Sequence, residues 1–433
     1  MMNGRDITDS DLLLFYMEHL LSNLLPFWKR AVDSKGGIFT CFNNAGTKLL
    51  SHDKYTWSQG RFIWIWSRIA HLCDQGIIED SSDRYLLEAE RAIDFLLNHA
   101  ILANGNCAFI LSEEGAPKES IPGEGFDTSF YADCFVILGM AEFARVTRRT
   151  EILDRALRLY DTLVRRTKGQ DLRSEPYPIP QGLRAHSVSM ILLNVTQELF
   201  EALRALRHPQ ENELREACEQ HAKEVLGVFR TSDGFVREMV VDSSTTFDTE
   251  DTVLLQHFNP GHTLEDMWFV IHASRQLEKP EWIPLAVQSV KKALELGWDR
   301  EYGGLLRFVD KDGTVPRGKH TGDPYEKLIL ETWDTKLWWP HSEALYVTLL
   351  AERVTGWSEY GRLYQQMHDY VFRTFPNPDR NTGEWIQIRN RTGDPVNKLV
   401  ALPVKDPYHI IRNVLLIIEL LSNPNSFSGG TQP

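Results

Sequence analysis

The chain has 433 residues, 42% apolar and 11% aromatic, which is enough to bury a large core, and its formal net charge is -13. With no basic run anywhere, the electrostatic footprint of nucleic-acid or anionic-membrane binding is missing; a neutral polar ligand fits twelve Trp, thirteen Tyr and twenty-one Phe better. The longest apolar run, near Val414 to Ile418, is too short for a bilayer, the start MMNGRDITDSD reads as no secretory signal, and five cysteines without CxxC spacing suit neither a disulfide framework nor a zinc site, so a reducing cytoplasm is the expected setting.

Apolar residues at i, i+3, i+4 and i+7 predict twelve helices, opening near Ser10, Trp57, Asp83, Phe126, Glu151, Ala185, Glu211, Gly261, Trp282, Trp338, Glu359 and Pro407. They pair into six. Between the members of most pairs lies a short alternating stretch with a turn: GGIFTCFNNAG from Gly36, CAFILSEEGAP from Cys107, DGFVREMVVD from Asp233, GGLLRFVDKDG from Gly303 and EWIQIRNRTGD from Glu384. The sixth equivalent, around Leu172 to Ile179, is Pro-rich and less regular.

A repeat of about 60 to 80 residues, helix–hairpin–helix, cannot bury its apolar face alone, but six copies closing on one another can. The predicted fold is therefore all-α, an (α/α)6 barrel (toroid) with an inner and an outer ring and short β-hairpins between helices. Neither end carries a polar capping repeat, which favours closure over an open solenoid. Residues 1–423 read as one catalytic domain and 424–433 as a flexible tail of loop composition.

Unusual polar residues gather near the starts of the even-numbered helices. Arg61 lies in the second, Asp133 in the fourth, and His186 and Asn194 in the sixth. His262 and Glu265 in NPGHTLE open the eighth, His341 and Glu343 in KLWWPHSEA the tenth, and His409 and Arg412 in PYHIIR the twelfth. If these helices form the inner ring, their N-terminal ends converge on one mouth, whose unpaired N–H groups favour a developing oxyanion.

Taken singly, His262 also fits a capping or packing role, His409 a satisfied core histidine, and Glu124, Asp127 and Asp133 ordinary helix starts. Glu265, at i+3 from His262, is either a surface pair or the carboxylate that fixes the imidazole tautomer. Arg61 among Trp57, Phe62, Trp64 and Trp66 is costly to bury without a polar partner. Trp57, Trp338 and Trp339 are core by default, yet aromatic faces also stack on sugar rings.

Taken together, GGIFTCFNNAG, KYTWSQGRFIWIWSRI, ADCFVILGMAEFAR, HSVSMILLN, NPGHTLE, WDREYGGLLRF, KLWWPHSEAL and PYHIIR resemble, in order and spacing, the N-acylglucosamine 2-epimerase family, over about Gly36 to Leu420. That family also holds cellobiose 2-epimerases, mannose isomerases and renin-binding proteins. The resemblance implies proton transfer at C2 of a sugar by two histidines, matching His262 and His409. It further implies that Glu265 orients His262, that Arg61 binds the sugar or its open-chain oxygen, and that Glu343 and the neighbouring tryptophans, Trp338 among them, line the pocket; Trp57, Asn194 and Arg412, on the same set of helices, are further candidates for substrate binding. No cofactor or metal is required; ATP as an allosteric effector would follow from the resemblance, without a P-loop to support it, and a homodimer is compatible with it. The chain departs from the pattern at Gln256, where an arginine is expected before NPGH, and at Ser189, where other branches place a histidine.

Abstraction at C2 needs an open-chain aldose, a stabilised enediolate and bases of near-neutral pKa. Two histidines on opposite faces give epimerisation, whereas return of the proton to C1 gives a ketose. Three rival readings stand beside this one. A glycoside hydrolase would employ Asp133 with Glu343. A metal-dependent isomerase would gather His186, His262, His409 and Glu343, and a partner-binding protein would need none of them.

Overall fold

Thr8 opens the first helix with a capping box: its hydroxyl accepts from the Asp11 N–H at 3.2 Å, and the Asp11 carboxylate accepts from the Thr8 N–H at 3.1 Å. In the computed structural model, residues 8–169, 172–243, 251–398 and 402–423 are described; the expected tail at 424–433 lies outside them. Helix α1 (Asp9–Glu18) continues through a π-helical stretch, His19–Leu24, into α2 (Leu25–Ala31). There follow α3 (Thr56–Asp74), α4 (Ser82–His99), α5 (Phe130–Thr147), α6 (Thr150–Thr167), α7 (His186–Leu206), α8 (Glu211–Glu224) and α9 (Val253–Gln256). The chain ends with α10 (Pro260–Gln276), α11 (Trp282–Gly297), α12 (Pro324–Thr332), α13 (Trp338–Thr355), α14 (Ser358–Thr374) and α15 (Tyr408–Ser422). Among the described residues no helix is long and apolar enough to cross a membrane.

Burial separates two classes of helix. In α6 the buried residues, Ile152, Leu153, Ala156, Leu157, Leu159, Tyr160 and Leu163, recur at helical spacing along one stripe, the mark of an outer helix. In α5 nearly every residue from Phe130 to Ala144 is buried, which only a helix covered on all sides allows. Helices α3, α7, α10, α13 and α15 share that character. These six touch in cyclic order, α3 on α5, then α7, α10, α13 and α15, with α15 returning to α3. Helices α4, α6, α8, α11 and α14 each lie on the inner helix that precedes them, and α1 covers α15.

The α3–α5 contact depends on two glycines. A Cβ on Gly60 would lie 2.2 Å from the Phe135 carbonyl oxygen, and one on Gly139 would lie 2.4 Å from that of Gly60, so backbone meets backbone there.

The expected hairpins shrink to two- or three-residue strands and isolated bridges. Strands β1 (Lys54–Tyr55), β2 (Ile110–Leu111) and β3 (Pro117–Lys118) form one sheet. Strand β4 (Leu183–Ala185) pairs antiparallel with β5 (Met239–Val241), and β6 (Lys336–Leu337) with β7 (Ile388–Arg389). The β1–β2, β4–β5 and β6–β7 pairings each join the strand leading into an inner helix to the loop of the next repeat, whereas β2–β3 is a hairpin within one loop. The helix expected from Phe126 begins at Phe130 instead, because Ser129 is held extended in a bridge to Ser174. Helices α9 and α12 are additions to the twelve expected, and they enclose a small separate apolar cluster of Leu183, Met239, Leu254, Phe308 and Ile329.

Gly60→Ala should cost about 1–3 kcal/mol through overpacking. Gly227→Ala, with nothing within 4 Å of the added Cβ, should be neutral or mildly stabilising. Thermal unfolding of the two variants checks the contrast; equal melting temperatures would contradict the close α3–α5 approach.

Candidate active site

The N-terminal turns of all six inner helices surround one cavity of about 160 Å³, room for roughly ten waters and so for a monosaccharide. Trp57 and Arg61 come from α3, Tyr131 and Phe135 from α5, Asn194 from α7, His262 and Glu265 from α10, Trp338 and Trp339 from α13, and His409 and Arg412 from α15. The free N–H groups and positive dipole ends of those turns face the same space.

Helix α10 starts with four residues that each have a distinct task. Asn259 caps it, its side-chain oxygen accepting from the His262 N–H at 3.2 Å, and Pro260 occupies the first turn, where no donor is missed. Gly261 leaves space for Trp339, since a Cβ there would lie 2.6 Å from the indole. His262 follows, and its Nδ1 is 2.8 Å from Glu238 Oε2. With Nδ1–H donating to the carboxylate, Nε2 carries the free lone pair.

Glu265, expected to orient His262, does not touch it; Glu238 holds that place. The i+3 spacing puts Glu265 and His262 on one helix face, but Glu265 turns instead to Arg412, whose Nη2 donates to its Oε1 at 2.6 Å. Strand pairing delivers Glu238. Ala185 opposes Met239 across β4–β5, and the next N–H, that of His186, donates to the Glu238 carbonyl at 2.9 Å. His186, fully buried, has Nδ1 at 3.5 Å from Glu238 Oε1 and Nε2 at 2.7 Å from Asp266 Oδ2. Burial alone would lower the His186 pKa, but Asp266 and then Glu238 outweigh it and raise it to about 9. The same histidines hold the Glu238 carboxyl well below the usual range against its own burial.

His409 repeats the arrangement on α15. Its Nδ1 is 2.7 Å from Glu343 Oε1, which also accepts from Arg412 at 2.6 Å, while Glu343 Oε2 accepts from the Trp268 indole N–H at 2.8 Å. Burial would raise the Glu343 carboxyl, yet the Arg412 charge and the His409 hydrogen bond bring it down to about 2. Glu343 thus stands behind His409 and does not border the cavity. The two imidazoles share the Trp339 indole, at ring-centroid separations of 5.2 Å from His262 and 5.8 Å from His409.

Arg61 lies against Phe135 at 3.9 Å and between Trp57 and Tyr408, with Nη1 3.1 Å from Asp406, whose Oδ2 is 3.6 Å from His409 Nε2. Asn194 borders the cavity with its side-chain oxygen unpartnered among the described residues. His341 is structural: Nδ1 meets the Leu337 carbonyl at 2.6 Å, Nε2 accepts from the Leu305 N–H at 2.8 Å, and burial takes its pKa down to about 3.

Asp133 is spent on Arg166 and the Cys107 N–H, away from the cavity, and Glu343 is saturated, which removes the Asp133–Glu343 pair of the hydrolase reading. The four residues of the metal-isomerase reading do not form one group: His186 and His262 meet at Glu238, and His409 and Glu343 at Arg412. Glu238, Asp266, Asp406, Arg307 and three tyrosines escaped the sequence reading; the only local signal was a charged residue inside the alternating stretch FVREMVV.

The family model described as N-acylglucosamine 2-epimerase (GlcNAc 2-epimerase) matches residues 37–413. The bovine (Bos taurus) N-acylglucosamine 2-epimerase is 30% identical over 414 residues, covering 93% of this chain and 90% of that protein. The chain belongs to the N-acylglucosamine 2-epimerase family. The enzyme class follows with it, an isomerase acting on carbohydrate. Among solved structures, a sugar epimerase from a ruminal bacterium superposes with a TM-score of 0.74 at 17% identity, over 94% of this chain and 98% of that one. A D-mannose isomerase superposes at 0.70 and 17% identity, over 96% and 100%. Both share the fold.

Stability should decline on both sides of neutrality. His186 is raised from 6.5 to about 9, so its contribution is complete below pH 6.5 and is lost as pH rises through about 9. Glu343 is lowered from 4.5 to about 2, so its contribution is complete above pH 4.5 and is lost as pH falls through about 2. Urea unfolding across pH should show both limbs, His186→Gln removing the alkaline one and Glu343→Gln the acid one. Limbs unchanged in those variants would assign the pH dependence elsewhere.

Proposed function

We propose that the protein is a sugar 2-epimerase that removes and returns the C2 proton of an open-chain aldose with His262 and His409 as the two bases. One observation carries this reading: each histidine has Nδ1 bonded to a buried carboxylate, leaving Nε2 as the reactive nitrogen on a shared cavity wall. Glu238 and Glu343 are positioning residues that fix the tautomers and stabilise the imidazolium once the proton has moved. One histidine takes the proton from one face of C2, the enediolate forms, and the other delivers a proton to the opposite face, inverting the centre.

Loss of the C2 proton places negative charge on O1 as the C1–C2 double bond forms. Arg61 and the six inner-helix N-termini lie where such charge is stabilised, in a site bordered by Trp57, Trp338, Trp339 and Phe135. The Arg412 guanidinium already serves Glu265 and Glu343, so its part is to hold the carboxylate behind His409. The six inner and six outer helices, in this reading, form an (α/α)6 barrel, supported by the cyclic contacts and the shared fold of the epimerase structures. N-acylglucosamine or a related aldose is the substrate class suggested by the family.

Incubation with N-acetylmannosamine, mannose and glucose in deuterated water, followed by NMR, tests the proposal. Deuterium should enter C2 with inversion, and a ketose product would mark aldose–ketose isomerisation instead. His262→Asn and His409→Asn should each slow inversion by roughly 10²- to 10⁴-fold, the range of a general acid–base group. Absence of exchange with every sugar, or full inversion in both variants, would refute it.

A further inference from the structure

Arg307 is a charged group of the cavity wall that the chemistry at C2 does not use. It lies in the loop between α11 and α12, is 4% exposed, and borders the same cavity as the two histidines. Its Nη1 donates to Thr332 Oγ1 at 2.9 Å and its Nη2 lies 3.4 Å from the Tyr177 hydroxyl, while Nε has no partner among the described residues. The other two guanidiniums of the wall are neutralised, Arg61 by Asp406 and Arg412 by Glu265 and Glu343. No carboxylate among the described residues comes within 4.0 Å of Arg307, although the chain has sixty Asp and Glu against forty-seven Lys and Arg.

A buried guanidinium held only by neutral hydroxyls and one ring, Phe308 at 4.8 Å, is poorly compensated for its lost hydration. Its planar fork suits bidentate binding of an oxyanion. The phenols of Tyr131, Tyr177 and Tyr325 border the same space, and Tyr177, whose oxygen faces Arg307, keeps its own proton to donate. We propose that Arg307, with Tyr177 beside it, binds an anionic substituent of the substrate, a phosphate or carboxylate carried by the sugar away from C2. This rests on the epimerase reading for the identity of the reacting carbon, and on the cavity alone for the anion.

Calorimetry should compare mannose with mannose 6-phosphate and mannuronate, and inorganic phosphate alone, while NMR in deuterated water follows C2 exchange separately. The wild type should prefer at least one anionic sugar by about 30-fold or more, the range for a buried charge contact. Arg307→Gln should collapse that ratio towards one and Arg307→Lys should keep part of it. Thr332→Val, which removes the brace and leaves the charge, should retain the preference and so separates charge from folding. An equal or greater affinity for neutral sugar in the wild type would overturn the inference, as would a ratio unmoved by Arg307→Gln. Inorganic phosphate that binds as tightly as the sugar phosphate without displacing mannose would also overturn it, by making the anion site separate. Anionic sugars that bind through Arg307 but show no exchange at C2 would leave the anion site standing and remove the epimerase reading instead.

Discussion

The hydrogen bond from an imidazole Nδ1 to a buried carboxylate is the interaction on which the rest of the site depends. It fixes tautomer and ring orientation, but it places an anion where water does not reach, and that anion needs positive partners of its own. Glu343 finds them in Arg412 and the Trp268 N–H, and Glu238 finds one in His186, itself held by Asp266. His262 and His409 therefore each sit at the end of a chain of polar groups running into the protein. Removing an inner member leaves a buried charge unpaired, so substitutions well behind the histidines act on them.

Those chains cross between elements, which is why the ring arrangement matters. His262 is on α10 but its carboxylate comes from the residue before β5, and His409 is on α15 but its carboxylate comes from α13. No single helix or repeat carries a complete histidine–carboxylate pair. Closure of the ring assembles them.

The sequence pattern revealed the helices because burial imposes a 3.6-residue period. Eleven of the twelve expected starts lie within about two residues of those found, a margin at which helix ends are in any case ambiguous. The histidines were legible for a related reason: NPGH and PYHII place them in first turns, and six first turns meet at one mouth. Partners across space were not legible. Spacing along a helix reports which residues share a face, and Glu265 does share one with His262, but the residue opposite that face decides who bonds whom. Glu238, twenty-four residues earlier, is brought in by a three-residue strand whose register no local periodicity encodes. Arg307 was hidden likewise, in the stretch GGLLRFVDKDG, where an arginine reads as an exposed strand residue until α12 folds over it.

The inner ring is not braced uniformly, and the difference falls on the site. Helices α3, α5 and α15 are tied at the end away from the cavity by Arg68, which reaches Glu142 at 2.7 Å and Glu419 at 3.1 Å, in addition to the glycine contact between α3 and α5. Between α7 and α10 the closure relies on polar bonds: Gln197 donates to the Phe269 carbonyl at 2.6 Å, and His186 meets Asp266 at 2.7 Å. The second of these also stands behind Glu238 and so behind His262. At that junction the bond that helps close the ring also stands behind the carboxylate that holds His262, so a change in the charge of His186 alters the packing of α7 on α10 and the setting of His262 together.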